Sequence, residues 1–148
     1  MSHSRTVTPS SMLTELIDLY KYQLTKCNLK PSELCLAITD TAYNPLYADA
    51  CLGAALNIGA EALKITLPYN KPVPNKGIGA AIMESDLIIY STTHTLHYTE
   101  EIRAALKAGK RVLMAVQPLH ALFRLKADPE VINRTKKAAE YMRKSNQI

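Results

Sequence analysis

The segment 86–118, DLIIYSTTHTLHYTEEIRAALKAGKRVLMAVQP, leaves few options for the fold of the chain around it. Its apolar, β-branched opening (Leu87, Ile88, Ile89) has the length and composition of a buried strand. A polar stretch at 91–98 follows, then a helical pattern at 99–107, a turn at Gly109 and a second apolar run at 112–116. Strand, loop, helix and strand in that order make a βαβ unit. The polar loop then sits at the carboxyl end of a buried strand, the edge at which open α/β sheets bind ligands. It carries two of the chain's four histidines, His94 and His97, and is the first candidate for a site.

The same alternation runs through the rest of the chain. A helix is expected from Ser11, where Met12, Leu16, Leu19, Tyr20 and Leu24 recur at helical spacing; Lys30-Pro31 stops it, because proline disfavours helical geometry in the residue before it. A short strand at 35–39 ends at Asp40 and Thr41. Asn44 and Pro45 read as N-cap and first residue of a helix through Ile58, whose Ala48, Ala50, Gly53, Ala54 and Ala55 permit close approach to a sheet. A strand at 62–67, a proline-rich loop at 68–75 and a helix at 77–85 lead into the central unit. Gly77 and Gly79 lack the third glycine and the preceding strand of a phosphate-cradling loop, so helix entry and close packing explain them. After the central unit come a short helix at 119–126 and a last one with Asp128 as N-cap and Pro129 at its first position. The order α-β-α-β-α-β-α-β-α-α predicts a three-layer, Rossmann-like α/β domain over 11–148, with about four mostly parallel strands and helices on both faces, behind a disordered 1–10. With the first strand central, Asp40, Thr41 and Tyr43 would lie beside 91–97 where the strand order reverses. That placement makes Asp40, Thr41 and Ser91 candidate substrate contacts.

Composition narrows the function classes. A chain of 148 residues, 47% hydrophobic and 21% charged, suits one globular domain with a proper core. It has no apolar run of membrane-spanning length and no signal-like start, so a soluble, cytoplasmic protein without a membrane partner is expected. Cys27, Cys35 and Cys51 form no CxxC pair and read as reduced thiols. The net charge of +5 is concentrated in Arg134, Lys136, Lys137, Arg143 and Lys144, a solvated helix face without the aromatic interleaving of a nucleic-acid site. Tyr20, Tyr22, Tyr69 and Val73 offer more apolar surface than a monomer needs, which points to a homo-oligomer.

A loop histidine is an ordinary general acid/base at neutral pH. His94 and His97, three apart, could also share a metal if the loop turned helically, but no third ligand is near in sequence. There is no GxSxG elbow, and no cationic cluster flanks a cysteine. From the residues alone His97 stays open between a catalytic or ligand role and a plain surface position or N-capping service to the following helix.

The run SDLIIYSTTHTLHYTEEIRAALKAGKRVLMAVQP, preceded by GAEALKITLP and followed by LFRLKADPEVINRTKKAAEYMRKSNQI, resembles the amino-terminal domain of the 2,5-dihydroxypyridine 5,6-dioxygenases, a family in a fold group shared with thermophilic metallo-aminopeptidases. The resemblance covers roughly residue 39 to the end. It implies an oxidoreductase of pyridine catabolism that cleaves an aromatic ring with O₂ at a mononuclear non-haem Fe(II). The iron ligands come from the carboxyl-terminal part of a longer chain, so no metal ligand is expected in this chain, which alone should bind no iron and be inactive. His97, in the Leu96-His97 pair, falls at the family's acid/base histidine. The loop departs from the family by a one-residue insertion and by the extra His94, a weaker candidate for the same role. Two further readings stand beside this one: the amino-terminal domain of a metallo-aminopeptidase, and a non-enzymatic α/β binding or assembly domain.

Overall fold

The computed structural model describes residues 9–71, 74–124 and 128–145. Along the chain the elements are α1 (Pro9–Lys26), β1 (Leu34–Asp40), α2 (Leu46–Ile58), β2 (Glu61–Leu67), α3 (Lys76–Glu84), β3 (Leu87–Ser91), α4 (Glu100–Lys107), β4 (Arg111–Met114), α5 (Leu119–Leu122) and α6 (Pro129–Ser145). This is the order the alternation predicts. The chain divides into two compact units, one ending at Gln117 and one beginning at Pro118.

In the first unit the four strands form an all-parallel sheet in the order β2-β1-β3-β4. The chain steps from β1 outward to β2, then crosses to the other side of β1 for β3, so the strand order reverses between β1 and β3. In register, Thr39 lies beside Ser91 and Tyr90 beside Met114. Side chains alternate across the sheet. Leu36, Ile38, Ile88 and Tyr90 share one face with Ile82 of α3, Ile102 and Ala105 of α4, and the loop residue Leu96. The other face carries Cys35, Ala37, Thr39, Leu87, Ile89 and Ser91. α2 packs against β1, β2 and β3 and against α1, while α3 and α4 pack on each other. Helices on both faces of a parallel sheet give the three-layer, Rossmann-like arrangement.

Several local departures from the sequence reading have physical causes. Asn28 ends α1 before Lys30-Pro31: it takes a left-handed conformation (φ 57°), and the Leu29 N–H donates back to the Leu24 carbonyl at 3.1 Å. Arg111, at the start of β4, reaches this turn. Its Nη1 donates to the carbonyls of Cys27 (2.9 Å) and Asn28 (2.6 Å), and its Nη2 pairs with Glu33 at 2.7 Å. Arg111→Met should therefore lower stability by about 2 kcal/mol, because two helix-end carbonyls and one ion pair lose their partner. A shift in the urea midpoint corresponding to less than about 0.5 kcal/mol would show that the contacts add nothing net.

α2 starts at Leu46, and the Asn44 side chain still accepts from its N–H at 3.1 Å. α3 is capped by Asn75, whose side chain accepts from the Ile78 N–H. A Cβ on Gly79 would come within 3.3 Å of Glu101, so this glycine serves the close approach of α3 to α4. Tyr20, placed by the sequence on an apolar surface, is 3% exposed and belongs to the core; Tyr69 is exposed, and Val73 lies outside the described residues. The disorder expected at 1–10 falls, for 1–8, outside the described residues, and α1 already includes Pro9. Cys35 and Cys51 are buried free thiols and Cys27 a partly buried one.

In the second unit α5 is shorter than the 119–126 expected, with 125–127 outside the described residues. Asp128 caps α6 by accepting from the Val131 N–H at 2.8 Å, and Arg134 pairs with Glu130 one turn away. Among the described residues no helix is long and apolar enough to cross a membrane.

Candidate functional site

The site candidates all sit at the carboxyl edge of the sheet, on strand ends or on the loops that follow them. Asp40, the last residue of β1, is 2% exposed. Its Oδ1 accepts from the N–H groups of Ala42 (2.9 Å) and Tyr43 (2.8 Å) and from the Thr93 hydroxyl (3.1 Å), while Oδ2 accepts from the Thr93 N–H. Burial by itself would raise the pKa of this carboxyl, but the hydrogen bonds outweigh it and hold it below its ordinary value. One charged carboxylate thus ties the loop after β3 to the turn after β1. Ser91 is also buried, and its hydroxyl donates to the Ala115 carbonyl at 2.7 Å. Asp40 and Ser91, which the sequence places among the substrate contacts, have these polar atoms engaged within the protein. Thr41 is exposed, and its Oγ1 accepts from the Tyr69 N–H at 3.0 Å.

The loop at 92–98 sends its two histidines in different directions. His94 stacks on Tyr69 of the loop after β2, with ring centroids 5.3 Å apart and planes at 26°. His97 lies at the other end, where its backbone N–H donates to Thr95 Oγ1 (3.3 Å) and its ring meets Tyr98 edge-on at 5.4 Å. Between them Leu96 is 0% exposed and inserted in the core, the one buried side chain of residues 93–98. Thr99 closes the loop by capping α4: its Oγ1 accepts from the Ile102 N–H and donates to the Leu96 carbonyl. The capping role that the sequence leaves open for His97 is therefore filled by Thr99.

His97 stands at a pocket of about 470 Å³ lined also by Tyr90, Thr95, Tyr98, Leu106, Val112 and Met114. Val112 and Met114 of β4, with Tyr90 of β3, put this pocket over the β3–β4 side of the sheet, one strand away from the crevice that the strand reversal predicts. The Asp40–Thr93 hydrogen bonds bridge that crevice, whereas the pocket opens over β3 and β4. Periodicity marked Tyr90 only as the end of a strand, and nothing in the sequence distinguished Thr93 from its neighbouring hydroxyls. Tyr98 and Met114 were equally illegible, since their part in the pocket depends on how α4 returns to β4. Among the described residues no three His, Cys, Asp or Glu side chains come together as a metal site, and the contacts of His94 and His97 belong to separate elements.

The family model for 2,5-dihydroxypyridine 5,6-dioxygenase (NicX) matches residues 15–148. The chain belongs to this family. Of the three readings drawn from the sequence, the family match favours the dioxygenase. Among solved structures the chain is similar to the 2,5-dihydroxypyridine dioxygenase of Pseudomonas putida KT2440, with TM-score 0.67 and 19% identity over 79% of this chain and 38% of that one. It also matches the N-terminal domain of FACL13 from Mycobacterium tuberculosis, with TM-score 0.49 and 14% identity over 78% of this chain and 28% of that one. No curated protein sequence matches. The P. putida likeness speaks to the fold, and the chain spans little more than a third of that dioxygenase.

Proposed function

We propose that this chain supplies the substrate pocket and the acid/base histidine of a 2,5-dihydroxypyridine-cleaving dioxygenase. The observation that carries the reading is His97 at the edge of an aromatic and apolar pocket, in a chain of the NicX family. Tyr98, Leu106, Val112 and Met114 offer flat, apolar contact to a planar ring. His97 takes the proton of a ring hydroxyl onto an imidazole nitrogen, which raises the electron density of the ring, and returns a proton later in the cycle. Asp40 and Thr93 hold the loop in place, and Leu96 fixes where His97 leaves the core. Iron(II) is the proposed cofactor of the ring-cleaving enzyme, where it would activate O₂. The described residues do not offer it a ligand set, so this reading places its ligands on other parts of the assembled enzyme.

The test is titration of this chain with 2,5-dihydroxypyridine under anaerobic conditions, followed by NMR. Signals of Thr95, His97, Tyr98 and Met114 should move together and saturate. Shifts confined to Thr41, Tyr69 and His94 would move the site to the other side of the loop and overturn the proposal.

A further inference from the structure

We infer that the Tyr90 hydroxyl is a specificity contact of the His97 pocket, hydrogen-bonding a second polar position on a flat, hydroxylated aromatic ring whose first hydroxyl meets His97. This inference rests on the reading just given and adds a residue to it. Tyr90 is 0% exposed, and its hydroxyl has no hydrogen-bond partner among the described residues. A buried hydroxyl left unpaired is destabilising, and a ligand that completes it removes that cost. Its position gives the vacancy a use. The register sets Tyr90 beside Met114, and both line the pocket that His97 borders.

The rest of the lining has little else to offer a second polar group. Leu106, Val112 and Met114 are apolar, and the Thr95 hydroxyl already accepts from the His97 N–H and lies 4.0 Å from the Met114 sulfur. Tyr98 is 72% exposed and faces water. That leaves His97 and the Tyr90 hydroxyl as the two polar points with free capacity in an open, largely apolar cleft, a pattern suited to a ring with two polar substituents rather than one. Because the Tyr90 oxygen is covered, the contact requires a neighbouring side chain to yield. Leu106 and Met114, at 44% and 48% exposure, have the freedom to do so.

Tyr90→Phe keeps the ring and removes only the unpaired oxygen, so the variant should melt no lower than the parent. The probes are 2,5-dihydroxypyridine and 3-hydroxypyridine, which lacks one of its two oxygens, titrated into the whole chain by anaerobic calorimetry or NMR. The unaltered chain should favour the dihydroxy compound by about tenfold, the worth of one hydrogen bond from a buried donor. Tyr90→Phe should abolish that preference, so that the two probes bind the variant with about equal affinity. His97→Ala should weaken both probes and keep the preference. A preference that survives Tyr90→Phe overturns the role of Tyr90 and leaves the pocket standing, whereas no binding of either probe by the unaltered chain overturns the pocket and the inference together.

Discussion

Asp40→Ala should destabilise the first unit by about 3 kcal/mol, more than any other single polar change at the carboxyl edge. The substitution takes the acceptor from three backbone N–H groups and one hydroxyl at once. Each lost bond to a charged, buried acceptor is worth about 1 kcal/mol or more, partly recovered where Ala42 and Thr93 reach water. The effect should also depend on pH. The folded-state pKa lies below the ordinary value, so the carboxylate's contribution is fully present above the unfolded pKa near 4 and is lost as pH falls through the depressed folded value. Urea unfolding at pH 7 and at steps down to about pH 3 tests both parts. The parent should lose stability over this acid window more steeply than Asp40→Asn. Superimposable acid profiles, or an Asp40→Ala cost below about 1 kcal/mol, would mean that the loop is held by other contacts.

The larger functional effect belongs to His97. On the proposed reading, His97→Ala in the assembled dioxygenase should reduce turnover of 2,5-dihydroxypyridine by roughly a hundredfold or more, the usual range for losing a positioned acid/base group. His94→Ala should cost only a few-fold, because His94 stacks on Tyr69 away from the pocket. Oxygen consumption read beside iron content separates the possible roles. Unchanged iron with slow turnover fits proton transfer, whereas loss of iron in the His97 variant would make it a ligand. Equal, small losses in the two variants would reduce the loop to a packing element.

The elements were legible because most strands are short apolar runs bounded by polar turns and several helices carry a side-chain cap, as Asn75, Thr99 and Asp128 do. Asp128 and the Thr99 region gave local signals that depend on no distant contact. The reversal between β1 and β3 follows once the first strand is taken as central, and the strand order β2-β1-β3-β4 agrees with that premise. The position of the His97 pocket could not be inferred. Asp40 meets Thr93, 53 positions away, across the crevice, and no local sequence pattern encodes such a pairing. The same limit hid Arg111, which reads as one more surface charge until β4 brings it under the end of α1. Tyr20 was misread for a related reason: a tyrosine looks amphipathic in isolation, and only the packing of α1 on α2 shows its ring enclosed.

The loop that carries His97 is a short span between two piers, the Asp40–Thr93 bond at one end and the Leu96 plug with its Thr99 cap at the other. Residues added between the piers can bow outward into water without moving either of them. His94 stands in that outer arc, stacked on Tyr69. A residue added between Leu96 and Thr99 has no such slack, and would swing the imbidazole-bearing turn off the pocket while the sheet beneath stayed whole.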